Sequence, residues 1–143
     1  MRHILPKTVF AIMALLAISN LPVVSSPPPI DEIPAGYIPS GKAMYTQYCA
    51  ACHGAEGRGD GPAAFTLKRP PTDLTKLAAM HMGEFPRQYV INVLRFGPGP
   101  SAHGSSDMPT WGSIFQVIDR SNETAVQQRI NKLTDYIASL QQK

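Results

Sequence analysis

The 143-residue chain lacks the residues and patterns on which several protein classes depend. With only two cysteines, it cannot form a four-cysteine zinc site or a disulfide-rich scaffold. No run of apolar residues reaches the ~20 that span a bilayer, and no segment alternates between polar and apolar residues as a half-buried strand does. The formal net charge is only +3, and no basic patch carries interleaved aromatic residues, so we expect no nucleic-acid partner.

The first 25 residues have the layout of a secretory signal peptide. Arg2 and Lys7 supply a positive start, the middle of the segment is almost entirely apolar, and polar and helix-breaking residues follow. Cleavage after Ser25, or alternatively after Ser19, predicts a periplasmic or otherwise exported protein. If the segment is not cleaved, it associates the protein with the membrane instead.

A proline-rich leader over residues 26–39 separates this segment from a single domain over residues 40–143. Five prolines occur in the leader, and proline favours an extended backbone over a helix. The remaining chain is too short for two hydrophobic cores, so we expect one domain.

Both cysteines belong to one motif, Cys49-Ala50-Ala51-Cys52-His53. Cys-x-x-Cys-His is the attachment pattern of c-type haem. Each thiol can form a thioether with one vinyl group, and the adjacent histidine can bind the iron. A redox disulfide would need a preceding strand, and a zinc site would need further ligands. The motif therefore predicts one covalent haem c held by Cys49, Cys52 and His53.

Helical patterns lie on both sides of this motif. Ser40 is a suitable cap for a helix that leads into it, and Pro86 suits the first turn of another. The most regular apolar spacing predicts a helix over residues 124–141, with Thr124 and Gln127 as a capping box. We therefore predict an all-α fold.

The chain resembles class I cytochrome c over roughly residues 37–141. That family places a glycine eight residues, and an aromatic residue four residues, before the first cysteine, and Gly41 and Tyr45 match these positions. In the family they pack against a leucine and an aromatic residue of the last helix, which Leu133 and Tyr136 match. The resemblance implies that the N- and C-terminal helices cross and that loops wrap around a single haem.

Residues 108–112 resemble the distal segment of the same family. The resemblance implies that the sulfur of Met108 binds the iron on the face opposite His53. A thioether is a soft, neutral ligand that favours ferrous iron. Trp111 follows in the same segment, and we expect it to cover the edge of the haem.

Two details of the ligation stay open in the sequence. His81 and His103 are rival distal ligands, since imidazole also binds haem iron. In the family a proline carbonyl holds the proximal histidine, and both Pro71 and Pro62 resemble that proline. Either one would accept the hydrogen bond of the second ring nitrogen of His53.

Together these features predict an electron carrier rather than an enzyme. Two axial ligands from the protein leave no open position for a substrate, and no general base or nucleophile is evident. The protein would exchange electrons with redox protein partners, either as a soluble carrier or as the electron-transfer subunit of an oxidoreductase. The alternative is a haem-based ligand sensor or small peroxidase, which would need a labile sixth ligand.

Overall fold

The computed structural model describes residues 36–99 and 107–142. The predicted signal peptide, the leader up to residue 35 and His103 lie outside the described residues. Within the described ranges the secondary structure is entirely helical, as predicted. The α-helices are α1 (Gly41–Tyr48), α2 (Ala50–His53), α3 (Leu77–Met80), α4 (Arg87–Phe96), α5 (Trp111–Ile118) and α6 (Glu123–Ser139), with short 3₁₀ helices at Ala64–Thr66 and Leu74–Lys76.

Helices α1 and α6 cross at Gly41. A Cβ atom at this position would fall on the carbonyl oxygen of Lys132 and would lie 2.9 Å from the Cβ of Tyr136. The rings of Tyr45 and Tyr136 pack beside the crossing with centroids 5.1 Å apart, and Leu133 is fully buried. The predicted crossing of the first and last helices is therefore confirmed.

The N-terminal cap of α1 agrees with the sequence prediction, whereas the N-terminal cap of α6 differs from it. The hydroxyl of Ser40 caps α1 by accepting a hydrogen bond from the backbone of Ala43 at 3.1 Å. The predicted capping box of α6 is wrong, because the side chain of Asn122 accepts from the backbone of Ala125 at 3.2 Å instead. Helix α6 consequently begins one residue before Thr124.

The C-terminal end of α6 also differs from the prediction. The helix ends at Ser139 rather than at Gln141. The amide of Gln141 turns back and donates to the carbonyls of Leu74 and Ile137, at 2.7 and 2.9 Å. The last residues therefore tie α6 to the 3₁₀ segment that follows the haem motif instead of extending the helix.

Helix α5 was not predicted from the sequence. It begins at Trp111, inside the segment that resembles a distal loop. Trp111 and Phe115 are buried, whereas Val117 on the same helix is exposed. A Cβ atom at Gly112 would fall on the carbonyl oxygen of Arg95, so glycine lets α5 approach α4 closely. The helix was missed because the family resemblance assigns this segment to a loop, although Trp111 and Phe115 have helical spacing.

The end of the leader that the structure describes lies along α6. Lys132 donates from its ammonium group to the carbonyl of Ile38 at 2.9 Å. Among residues 36–99 and 107–142, no helix has the length and apolar composition that a membrane span requires.

Candidate haem site

One helical turn presents the residues of the Cys-x-x-Cys-His motif. Cys49 closes α1, and α2 continues from Ala50 to His53. The amides of Cys52 and His53 donate to the carbonyl of Cys49 at 3.1 and 2.9 Å. Both sulfurs and the imidazole are thereby carried by one short, hydrogen-bonded segment.

The glycine-rich loop over residues 54–63 folds back on this turn. Besides the Gly54 amide, which closes α2, three of its amides donate to carbonyls of the motif. Gly61 has no room for a Cβ atom because the carbonyl oxygen of Ala51 occupies that place. The bonds run from Gly59, Gly61 and Ala63 to His53, Cys52 and Ala51, at 2.8, 3.1 and 2.8 Å. These amides serve the haem motif, so they do not form a phosphate-binding loop.

Tyr45 fixes the point where this loop leaves the motif. Its hydroxyl donates to the carbonyl of Gly54 at 2.7 Å. Gly54 has a φ of +80°, a conformation that favours glycine. Burial raises the pKa of Tyr45 well above its usual value, and the nearby Cys49 adds to the effect. The hydroxyl therefore stays protonated and remains a donor.

The imidazole of His53 is held by the backbone of Thr72. The distance from Nδ1 to the carbonyl oxygen is 3.0 Å, and a carbonyl can only accept, so Nδ1 carries the proton. Burial lowers the pKa of His53, while the hydrogen bond to Thr72 partly opposes this. The ring is neutral and its Nε2 is left as the basic nitrogen. The prediction that a carbonyl of Pro71 or Pro62 accepts this bond is wrong, since the acceptor is one residue beyond Pro71.

The six residues predicted to bind haem all line one cavity of about 370 Å³. Cys49, Cys52 and His53 come from the motif, Pro71 from the loop before Thr72, and Met108 and Trp111 from the segment that leads into α5. Pro71 thus reaches the cavity without holding His53. Two rivals for Met108 also line it, namely His81 and Met80.

Exposure distinguishes Met108 from Met80 and His81, whereas hydrogen bonding leaves His81 able to bind iron. Met80 has 57% of its surface exposed, and His81 is exposed, whereas Met108 is half-buried. The Nδ1 of His81 donates to the carbonyl of Leu77 at 2.8 Å. Nε2 is therefore the unprotonated nitrogen of His81, as it is in His53.

The donor set fits a covalent haem better than a metal ion or a redox disulfide. Burial raises the pKa of the Cys49 thiol to about 12, with a contribution from Cys52. A zinc ligand or catalytic cysteine is a thiolate, which a low thiol pKa favours. Nowhere in the described ranges do three or more His, Cys, Asp or Glu side chains cluster as a metal site. The neutral Cys49 thiol, the neighbouring Cys52 and a neutral imidazole beside a largely apolar cavity match haem c attachment.

Comparison with protein families agrees with this geometry. The family described as "Cytochrome C oxidase, cbb3-type, subunit III" matches residues 37–137. The chain belongs to this family. It is a class I-type cytochrome c domain that binds haem c, and it transfers electrons rather than acting as an enzyme by itself. No curated protein and no solved structure matches the chain.

Sequence reasoning missed two aromatic partners of Trp111 in this cytochrome domain. Tyr48, Trp111 and Phe115 form a contiguous aromatic cluster. The ring centroids are 5.3 Å apart for Tyr48–Trp111 and 5.9 Å apart for both Tyr48–Phe115 and Trp111–Phe115. Tyr48 and Trp111 line the haem cavity, so we call these three residues the aromatic wall. The signal for Tyr48 was its helical spacing from Tyr45, but Phe115 belongs to the unpredicted α5.

Proposed function

We propose that this cytochrome domain transfers single electrons through one haem c whose axial ligands are His53 and Met108. The observation that carries the proposal is that Met108 lines the same cavity as the attachment motif. Support also comes from the chain around it, because Pro109 stiffens the backbone and α5 anchors it from Trp111 onward. Bound haem c supplies the ferric/ferrous couple.

The residues around the cavity suit a haem whose iron changes oxidation state while both axial ligands stay bound. The Thr72 carbonyl fixes the tautomer and orientation of His53, which keeps Nε2 directed as a ligand in both oxidation states. The aromatic wall excludes water from one side of the cavity. A rigid, dry surrounding keeps the structural change on electron transfer small.

Spectroscopy of the purified protein tests the ligation. Ferric wild-type protein should show the weak long-wavelength absorbance of a methionine sulfur on haem iron. Ferrous wild-type protein should not bind carbon monoxide, because both axial positions are filled. Rapid binding of carbon monoxide by the wild type would favour the sensor or peroxidase alternative and would contradict the proposal.

The family description supports a role as an electron-transfer subunit of an oxidase, with other redox proteins as donor and acceptor. Affinity purification of the tagged protein from its native membranes should recover haem-containing oxidase subunits if this is correct. Recovery of the cytochrome alone would favour a free carrier.

We also propose that residues 1–25 direct export to the periplasm. Support comes from the positive start and apolar middle of this segment. Mass spectrometry of the mature protein should find a new N-terminus after Ser25 or Ser19. An intact N-terminus in the haem-loaded protein would indicate a membrane-associated form.

A further inference from the structure

Arg129 and Asp119 form an ion pair that is almost completely buried. Nε and Nη2 of Arg129, on α6, donate to the two carboxylate oxygens of Asp119, both at 2.8 Å. The two side chains are only 7% and 8% exposed. Replacing a buried ion pair with apolar residues is often neutral or stabilising, because desolvation of two charges is costly. Stability alone therefore does not account for this pair.

The pair lies directly behind the aromatic wall. The guanidinium carbon of Arg129 is 5.8 Å from the centroid of the Phe115 ring. Phe115 packs in turn on Tyr48 and Trp111, which line the haem cavity. The rings of the aromatic wall thus lie between a buried positive charge and the cavity, with little solvent to screen that charge.

The backbone around Asp119 is costly to form. Asp119 ends α5, and the next two residues, Arg120 and Ser121, have φ angles of 51° and 62°. These left-handed conformations are uncommon for residues other than glycine. The same tight turn brings the carboxylate of Asp119 to the guanidinium of Arg129. The unfavourable backbone conformation therefore occurs where the ion pair forms.

We propose that Arg129 and Asp119 act as positioning residues that set the reduction potential of the haem by keeping a buried charge in balance behind the aromatic wall. This inference rests on the proposed function, since it assumes that a haem occupies the cavity. An unbalanced positive charge would favour ferrous iron, which carries less charge than ferric iron. An unbalanced negative charge would favour ferric iron.

Redox titration of haem-loaded variants tests the proposal. Asp119→Asn keeps the shape and leaves the guanidinium unbalanced, so the midpoint potential should rise. Arg129→Gln, titrated in mildly alkaline buffer where a carboxyl group is ionised, should lower it. The double variant restores neutrality and should return towards the wild-type potential.

A second ion pair on α6 supplies a matched control. Arg87 and Asp135 also pair, but their side chains are 52% and 59% exposed. Asp135→Asn makes the same change in net charge as Asp119→Asn, and solvent should screen it, so the potential should stay near the wild-type value.

The sign of the shifts decides the outcome. Shifts of Asp119→Asn and Arg129→Gln in the same direction, or no larger than that of Asp135→Asn, would overturn the proposal. If either single variant fails to accumulate, Arg129→Lys and Asp119→Glu keep both charges and should retain the wild-type potential; a large shift in these would also overturn it. The wild-type spectrum tests the axial ligation separately from this proposal. The potential shifts are measured relative to the wild type, so they can be interpreted whichever side chain binds the iron.

Discussion

At the scale of single residues, two hydrogen bonds to backbone carbonyls determine how the haem-binding residues are held. Thr72 orients His53 from one side, and Tyr45 holds the carbonyl of Gly54 directly after the motif. Both bonds fix the C-terminal end of the short segment Cys49–His53, where the iron-binding imidazole lies.

Tyr45→Phe tests the second of these bonds. The substitution removes only the hydroxyl, and the carbonyl of buried Gly54 keeps the amide of Gly57 as a donor at 3.2 Å. Loss of one intramolecular hydrogen bond costs about 0.5–1.5 kcal/mol, so the free energy of unfolding should fall by about that amount in a denaturant titration. Tyr37→Phe is the matched control, since Tyr37 is 53% exposed, and it should change the stability little.

Met108→Ala tests the proposed sixth ligand. Loss of a soft ligand that favours ferrous iron should remove the long-wavelength absorbance and lower the reduction potential. His103→Ala should leave both unchanged. His81→Ala is the stricter control, because His81 lines the cavity with a free Nε2. Loss of the methionine signature in the His81 variant alone would contradict the assignment.

The sequence could predict the thiols and the proximal imidazole, because covalent attachment needs these residue types at this spacing. It could not predict the acceptor for His53. Every residue has a carbonyl group, so only the path of the loop through Pro71 and Thr72 decides which one faces Nδ1. Tyr45 was visible as a family position, but its hydrogen bond depends on the left-handed turn at Gly54.

At the scale of elements, the crossing of α1 and α6 connects the haem motif to the longest helix. Close contact is available only because Gly41 has no side chain at the point where the backbone of Lys132 passes. Tyr45 and Leu133 fill the space beside it. The crossing therefore fixes the direction in which α1 delivers Cys49 to the cavity.

Gly41→Val should force the two helices apart. The new Cβ would meet a backbone carbonyl, which cannot move aside as a flexible side chain can. Overpacking of this kind costs ~1–3 kcal/mol. Ala43→Val, on the exposed side of the same helix, should cost less than about 1 kcal/mol, in line with helix propensity. Equal denaturation midpoints for the two variants would contradict the crossing at Gly41.

Leu133→Ala examines the other side of the crossing. Leu133 is fully buried, so truncation should leave a cavity and cost ~2–5 kcal/mol. Denaturant titration followed at the haem band would report the loss. Unchanged stability would mean that neighbouring side chains fill the space without cost.

The family pattern was sufficient for α1 and α6, whose packing positions have a fixed spacing. It was insufficient for α5 and for the start of α6. Helix α5 lies in the segment that the family resemblance treats as a distal loop, so the helical spacing of Trp111 and Phe115 was overlooked. Thr124 and Asn122 are both acceptable caps by type, and the tight turn at Arg120 and Ser121 decides in favour of Asn122.

At the scale of the whole molecule, the haem cavity lies within the hydrophobic core. Several core residues also line the cavity: Cys49, Leu77, Val90, Leu94, Trp111 and Ile137. The core and the cofactor site are therefore one structure. Haem c bound in this cavity would contact these core residues as well as carry the electron.

The energetic consequence is that folding should depend on haem attachment. Without haem, the apolar residues that line this cavity of about 370 Å³ lose their packing partner and face water. That removes apolar burial from a domain of a kind that is typically stable by only ~5–15 kcal/mol. Chain produced without haem attachment should therefore show helical far-UV circular dichroism at most, a weak near-UV signal and no cooperative melting.

The haem-loaded protein should melt cooperatively and should keep its colour through acid–acetone extraction, because thioethers hold the haem. A cooperative transition of the haem-free chain at the same temperature would show that the helices pack without the cofactor.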